Sequence, residues 1–177
     1  FTPISLVAVA PLIMTVTNSL PVTNVKEFIA YAKANPGKIS FGSSGVGAAA
    51  HLTSELIKQV TGIDMVHVPY KGTAPALADL MSGSIQMLLD VPIGLMSQVR
   101  AGKIRALCML SKERVPGVEE VPTIVEAGGP LIESSSWVMF LAPAGTPVEI
   151  VNKLQAEVAK AVKDEGLRKR MAEQALI

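Results

Sequence analysis

The sequence predicts an α/β fold organised around a mostly parallel sheet covered by helices on both faces. Two observations carry that expectation. Between Lys38 and Leu110, short apolar runs of strand length alternate with segments of helical periodicity, the signature of successive strand–helix units. Twelve prolines and fourteen glycines are spread along the 177 residues, which punctuates the chain into many short elements joined by tight turns. Hydrophobic residues make up 49% but aromatics only 4%, so the core is built mainly from Val, Ile, Leu, Ala and Met. The length suits one full domain, or one domain with pieces of a second.

Taken in order, Ile4 to Val9 and Leu12 to Thr17 are two apolar strands parted by Pro11. A helix from about Val25 to Ala34 has Thr23 or Asn24 as N-cap and Asn35-Pro36-Gly37 as its stop. Lys38 to Phe41 is a strand, Gly42 to Gly47 a glycine-rich turn, and Ala48 to Val60 a helix stopped by Gly62. Asp64 to Pro69 is the next strand, followed by Lys71-Gly72-Thr73 and a helix over Ala74 to Met81. Ile85 to Leu89 forms a strand ending at Asp90, Ile93 to Ala101 a helix, and Ile104 to Leu110 a further strand. Beyond Lys112 comes a proline-punctuated loop, a short helix near Thr123 to Ala127, and the apolar strand Trp137 to Ala142. Thr146-Pro147-Val148-Glu149 reads as a capping box with proline at the first helical position. The helix it opens carries Ile150, Val151, Leu154, Val158 and Val162 on one face.

Composition narrows the function classes. A net charge of +1, with no basic cluster interleaved with aromatics, gives no nucleic-acid signal, and Arg168-Lys169-Arg170 reads as a solvated helix face. Cys108 is the single cysteine, so no intrachain disulfide forms, and its apolar surroundings make it a small buried hydrophobe. No run reaches the roughly 18 to 20 apolar residues of a membrane-spanning helix. The apolar start is broken by Pro3 and Pro11 and lacks a basic region, unlike a signal peptide.

The candidate chemistry gathers where strands end and helices begin, the side on which open α/β sheets hold ligands. Gly42-Ser43-Ser44-Gly45-Val46-Gly47 supplies close backbone approach, free N–H groups and a helix dipole, all suited to an anion. The same residues also suit a bare tight turn. Gly45 to Ala50 fits the loose pattern G-x-G-x-x-A, but a dinucleotide site needs an acid at the end of the next strand, and Asp64 stands at its beginning. There is no P-loop lysine, and Val46 occupies the position where a nucleophile elbow needs glycine. His51 serves either as a cap or packing group or as a ligand contact, and His67 reads as a hydrogen-bonded core residue. The two histidines lack a third group at ligand spacing for a metal, and no nucleophile–base pair points to catalysis. Tyr70-Lys71-Gly72 and Asp90 end strands: Lys71 either pairs with a carboxylate or lies free at the surface, and Asp90 either meets a ligand or caps the helix at Ile93.

The stretches AYAKANPGKISFGSSGVGAAAHLTSEL, HVPYKGTAPALADLMSG, AGKIRALCM, VPTIVEAG and APAGTPVEIV resemble, in order and across nearly the whole chain, the substrate-binding proteins of tripartite tricarboxylate transporters, the Bug family. The resemblance implies a type II periplasmic binding-protein fold, here a complete second lobe with fragments of the first, the family's two ends lying outside the sequence. It divides the chain into residues 1–17 as first-lobe fragment and crossover strand, 18–137 as second lobe, and 138–177 as crossover strand and first-lobe helices. It implies a periplasmic, non-enzymatic receptor without cofactor. Such a receptor captures a small organic carboxylate and delivers it to one large and one small integral membrane subunit. Residues 43–49 are expected to line the deepest concavity of the second lobe, with hinges near Thr17 and Trp137, and exposed first-lobe faces imply self-association. By motif, the implied contacts are Ser43, Ser44, Gly45, Gly47, Ala48, Ala49, His51, Tyr70, Lys71, Gly72 and Asp90. Ala48 departs from the family's usual Ser or Thr and removes a hydroxyl donor. The alternative from the residues alone is a cytosolic domain binding a phosphorylated metabolite or nucleotide at the same turn.

Overall fold

The computed structural model describes all residues from Phe1 to Ile177. Two sheets organise the chain. Strands β1 (Thr2–Pro11) and β7 (Ser135–Ala142) pair antiparallel as an outer ribbon. The other five, β2 (Ile13–Thr17), β3 (Ile39–Ser43), β4 (Met65–Pro69), β5 (Met87–Asp90) and β6 (Ile104–Met109), form a sheet in the order β4-β3-β5-β2-β6.

Strand β3 runs parallel to β4 and β5, whereas β2 is antiparallel to both its neighbours, β5 and β6. Four strands thus share one direction and β2 opposes them. The expected mostly parallel sheet therefore carries one reversed strand in its interior. Within residues 1–17, Thr2–Pro11 lies in the outer ribbon and Ile13–Thr17 in the five-stranded sheet. The chain passes between the sheets at Pro11–Ile13 and again at Ser134–Ser135. Three backbone bonds hold these passages together: Leu12 N to Ser134 O (2.9 Å), Ser134 N to Leu110 O (3.0 Å) and Leu110 N to Leu12 O (2.8 Å).

Helices α1 (Val25–Ala34) and α2 (Ala49–Thr61) cover one face of the large sheet, and α3 (Thr73–Ser82) and α4 (Pro92–Arg100) the other. Alternation along the strands feeds both cores. In β5, Met87 and Leu89 join the side of Phe28, Phe41 and Ile57, while Leu88 joins that of Ala76, Leu80 and Leu95. Cys108 is fully buried in the first of these cores, where desolvation pushes its thiol pKa well up.

Local chemistry explains the boundaries. Asn24 caps α1 by accepting from Glu27 N at 2.8 Å, and Glu27 accepts in return from Thr23 N at 2.7 Å. Gly62 ends α2 in the left-handed conformation (φ 69°). Two expectations fail. Thr123 to Ala127 make reciprocal Thr123–Glu126 bonds but only a single turn, because Gly128 (φ 81°), Gly129 and Pro130 follow at once. The capping box at Thr146 does not form: its hydroxyl donates back to Pro143 O at 2.8 Å, and Pro147 is the N-cap of α5 (Val148–Ala161). No residue of α5 or of α6 (Glu165–Glu173) is buried. The last residue, Ile177, exchanges two backbone bonds with Val9.

Candidate functional site

Strands β3, β4 and β5 are parallel, so their carboxyl ends open on one side of the sheet, each leading into a helix. The turns interlock there. Tyr70 N donates to Ser43 O at 3.0 Å, Thr73 Oγ1 donates to Asp90 Oδ2 at 2.5 Å, and a Cβ added at Gly94 would lie 3.7 Å from Thr73 Cγ2. The starts of α2, α3 and α4 are thereby brought to one rim.

These three helices differ from α1 and α6 in how they begin. Helices α1 and α6 have side-chain caps and an acidic residue in the first turn. Helices α2, α3 and α4 start at Ala48, Gly72 and Val91 with no capping side chain and no first-turn acid. In α2 the N–H groups of Ala49, Ala50 and His51 have no hydrogen-bond partner. Unpaired amides and the positive ends of three helix dipoles converge on the same rim, an arrangement that favours an anion.

The expected contact residues divide by what the structure does with them. Ser43 closes β3 fully buried. Its hydroxyl donates to Gly45 O at 3.0 Å, receives Gly45 N at 3.3 Å, and lies 2.7 Å from His67 Nε2. That hydroxyl shapes the turn from inside. Ser44 and Gly47 are exposed, Gly45 (φ 144°) and Gly47 (φ 81°) adopt backbone conformations that side chains disfavour, and nothing stands within 4 Å of a Cβ added at Gly47. Ala48 and Ala49 form the uncapped helix start. His51 accepts from Gly47 N through Nδ1 at 3.1 Å and so ties the turn just before Ala48 to the first turn of α2.

Tyr70 turns its hydroxyl away from the rim to Asp79 Oδ2 at 2.6 Å, and burial, with that acidic partner, pushes its pKa up to about 12. Lys71 is exposed, and Gly72 (φ 114°) is the N-cap of α3. Asp90 is buried (8% exposed); Oδ1 accepts from Val91 N at 2.7 Å and Oδ2 from Thr73. It therefore ties α3 to the end of β5 instead of capping the helix at Ile93. Thr73 was not among the expected residues; its place after Lys71-Gly72 at a helix start was the readable signal. Residues 43–49 line none of the larger concavities. Those include a cleft of about 580 Å³ along Val9, Pro11, Ser111 to Pro116 and Ile177 and one of about 530 Å³ between Val7 and α6. The turn stands on the rim where β3, β4 and β5 end, with Ser44, Val46 and Gly47 exposed.

The family model described as "Tripartite tricarboxylate transporter family receptor" matches residues 1–176. The chain belongs to that family. It is 32% identical over 172 residues to protein BugT of Bordetella pertussis, an alignment covering 97% of this chain and 53% of BugT. Among solved structures it superimposes on the Rhodopseudomonas palustris protein Rpa4515 with adipate. There the TM-score is 0.94 and the identity 39%, over 99% of this chain and 59% of that one. It also superimposes on MatC of the same organism with bound malate, with a TM-score of 0.90 and 30% identity over 100% and 60% of the two chains. The receptor-family chain thus has the periplasmic binding-protein fold and spans about half the length of the curated relatives it matches. No helix in it is long and apolar enough to cross a membrane.

Proposed function

We propose that this chain is the ligand-receiving part of a periplasmic receptor that captures a small organic carboxylate, without chemistry, for a tripartite transporter of one large and one small membrane subunit. The observation that carries the reading is the start of α2, which has no capping side chain, no acid and three unpaired amides, on the rim where α3 and α4 also begin. A carboxylate needs several preformed donors and no formal countercharge there. The ligands of two relatives support it, adipate for Rpa4515 and malate for MatC. Ser44, Gly45, Gly47, Ala48, Ala49 and His51 form the first contact wall, with Lys71, Gly72 and Thr73 beside it. Ser43, Tyr70 and Asp90 hold that wall from behind.

The five-stranded unit is the second lobe in this reading, and the β1–β7 ribbon with α5 and α6 belongs to the first. The two passages at Pro11–Ile13 and Ser134–Ser135 form the hinge, since they alone cross between the sheets and are bonded to each other. Calorimetric titration with adipate, malate, NAD and ATP tests the reading. Dicarboxylates are expected to bind more tightly than either nucleotide. Tighter binding of NAD or ATP would replace it with the nucleotide alternative.

A further inference from the structure

Behind the receiving turn lies a column of stacked groups that starts in the core. Phe41, fully buried on β3, pairs directly with His67 on β4, and the two rings stack with centroids 4.9 Å apart. His67 in turn stacks on His51 of α2 at 4.0 Å and 18° between planes. Lys58 Nζ sits 5.9 Å from the Phe41 centroid at the other end. His51, Glu55 and Lys58 recur at i, i+4 and i+7, so one stripe of α2 faces this column.

The hydrogen-bond partners suggest a place for each ring proton. His51 Nδ1 accepts from Gly47 N, so a neutral His51 carries its proton on Nε2. Nε2 has no hydrogen-bond partner and is not among the buried unpaired atoms, so on this half-buried side chain it keeps some contact with solvent. Ser43 Oγ lies 3.0 Å from Gly45 O, which can only accept, and 2.7 Å from His67 Nε2; with the single hydroxyl proton directed at Gly45 O, His67 Nε2 is the donor to Ser43 Oγ. Ser43 also receives Gly45 N, so the loop between the two histidines is clamped at both ends.

We propose that His67 is the positioning residue of the receiving turn: it donates to Ser43 and stacks on His51, which holds His51 with Nδ1 occupied by Gly47 N–H and Nε2–H presented outward as a ligand donor. This deepens the carboxylate reading and rests on it only for the ligand's identity. The orientation itself exists without ligand. It assigns a role to a residue outside the contact set, and it makes His51 a directed donor that discriminates for an oxygen acceptor at one place on the rim.

Nitrogen-15 spectra of the imidazole rings, recorded on the ligand-free chain, test it directly. The wild-type chain at neutral to mildly alkaline pH is expected to show His51 with its proton on Nε2. A proton on Nδ1 would overturn the proposal before any variant is made. In His67→Phe, which keeps a stacking ring but removes the donor, His51 should become a mixture of the two tautomers. Gly47 amide exchange should also become about fivefold faster, the share one neutral hydrogen bond carries. His67→Gln, which can still donate to Ser43, should recover most of the Gly47 protection. Unchanged His51 and Gly47 signals in His67→Phe would reduce His67 to a packing residue. Titration of the same variants with adipate separates the two readings: wild-type chain that shows the Nε2 proton but takes up no adipate leaves the orientation standing and removes the carboxylate.

Discussion

At the scale of single residues, the receiving turn depends on groups that never face the ligand. The Ser43 hydroxyl is spent on Gly45 and His67, and Tyr70 on Asp79, so much of the polar chemistry near the rim builds the wall instead of lining it. His67 also links the turn to pH. Burial lowers its pKa below the ordinary 6.5, the neighbouring His51 lowers it further, Glu55 raises it and Lys58 lowers it. A lowered histidine value means that the unfolded chain binds more protons in that window. The resulting stability is present above the ordinary histidine value and is lost as pH falls through the lowered one. The exposed carboxylates held low by backbone N–H bonds, Glu27, Glu119 and Glu126, act only below the ordinary 4.5 and so leave the window above them to histidine. Thermal melting followed from about pH 8 to about pH 5 should therefore show a midpoint that drops below about pH 6.5. The drop should be shallower in His67→Gln. Equal slopes in the two proteins would remove His67 as its source.

At the scale of elements, the uncapped start of α2 sets stability against binding. Ala48 has the extended backbone of an N-cap (φ −64°, ψ 157°) but no side chain to use it. Ala48→Ser is expected to raise stability by about 1 kcal/mol, from the usual worth of a cap, and to tighten carboxylate binding by adding a hydroxyl donor. Ala48→Asp should stabilise by a similar amount, about 1 kcal/mol, yet abolish carboxylate binding, because its own anion fills the seat. Denaturant midpoints and calorimetry on both variants check this; an Asp variant that still binds adipate would place the ligand elsewhere. The elements themselves were largely legible. Apolar runs and helix stops such as Gly62 and Asn35-Pro36-Gly37 set their order, and the seven strands and first five helices appear where periodicity put them or within a few residues. The reversed strand β2 was not legible, because direction within a sheet is decided by which neighbours a strand finds, not by its own pattern. The failed helix after Thr123 and the unused Thr146 cap were misread for a related reason: the cap residues are present, but Gly128-Gly129-Pro130 and the Pro143 carbonyl compete for the backbone. For the site, the Ser43–Gly47 turn was legible as a strand-to-helix junction. The role of His67 was not, since it requires knowing that His67 lies beside Phe41 across two strands and under His51 of a helix.

At the scale of the molecule, the two sheets are unequally dressed. The large sheet has a core on each face, whereas the β1–β7 ribbon is covered only in part by α5 and α6. Adjacent residues of β7 point to opposite faces, and Trp137 (60%), Val138 (53%), Phe140 (53%) and Leu141 (45%) are all exposed, so neither face of the ribbon is closed. Leu6 of β1 and Ile150 and Leu154 of α5 extend the apolar surface. The superposition on Rpa4515 covers 99% of the chain, the ribbon included. For these 177 residues taken by themselves, an apolar surface of this extent on a two-stranded ribbon is a face for pairing with a second copy. Association should therefore rise with concentration, and light scattering should detect it. Trp137 is the sole tryptophan and lies within the surface, so its emission should shift to the blue over the same range. Val138→Lys with Phe140→Lys should suppress both signals while leaving the far-ultraviolet circular dichroism and the Gly47 amide of the receiving turn unchanged, because neither residue touches the large sheet's cores. A monodisperse monomer whose Trp137 emission is independent of concentration would show that the ribbon is self-sufficient in water and that its apolar surface needs no second chain.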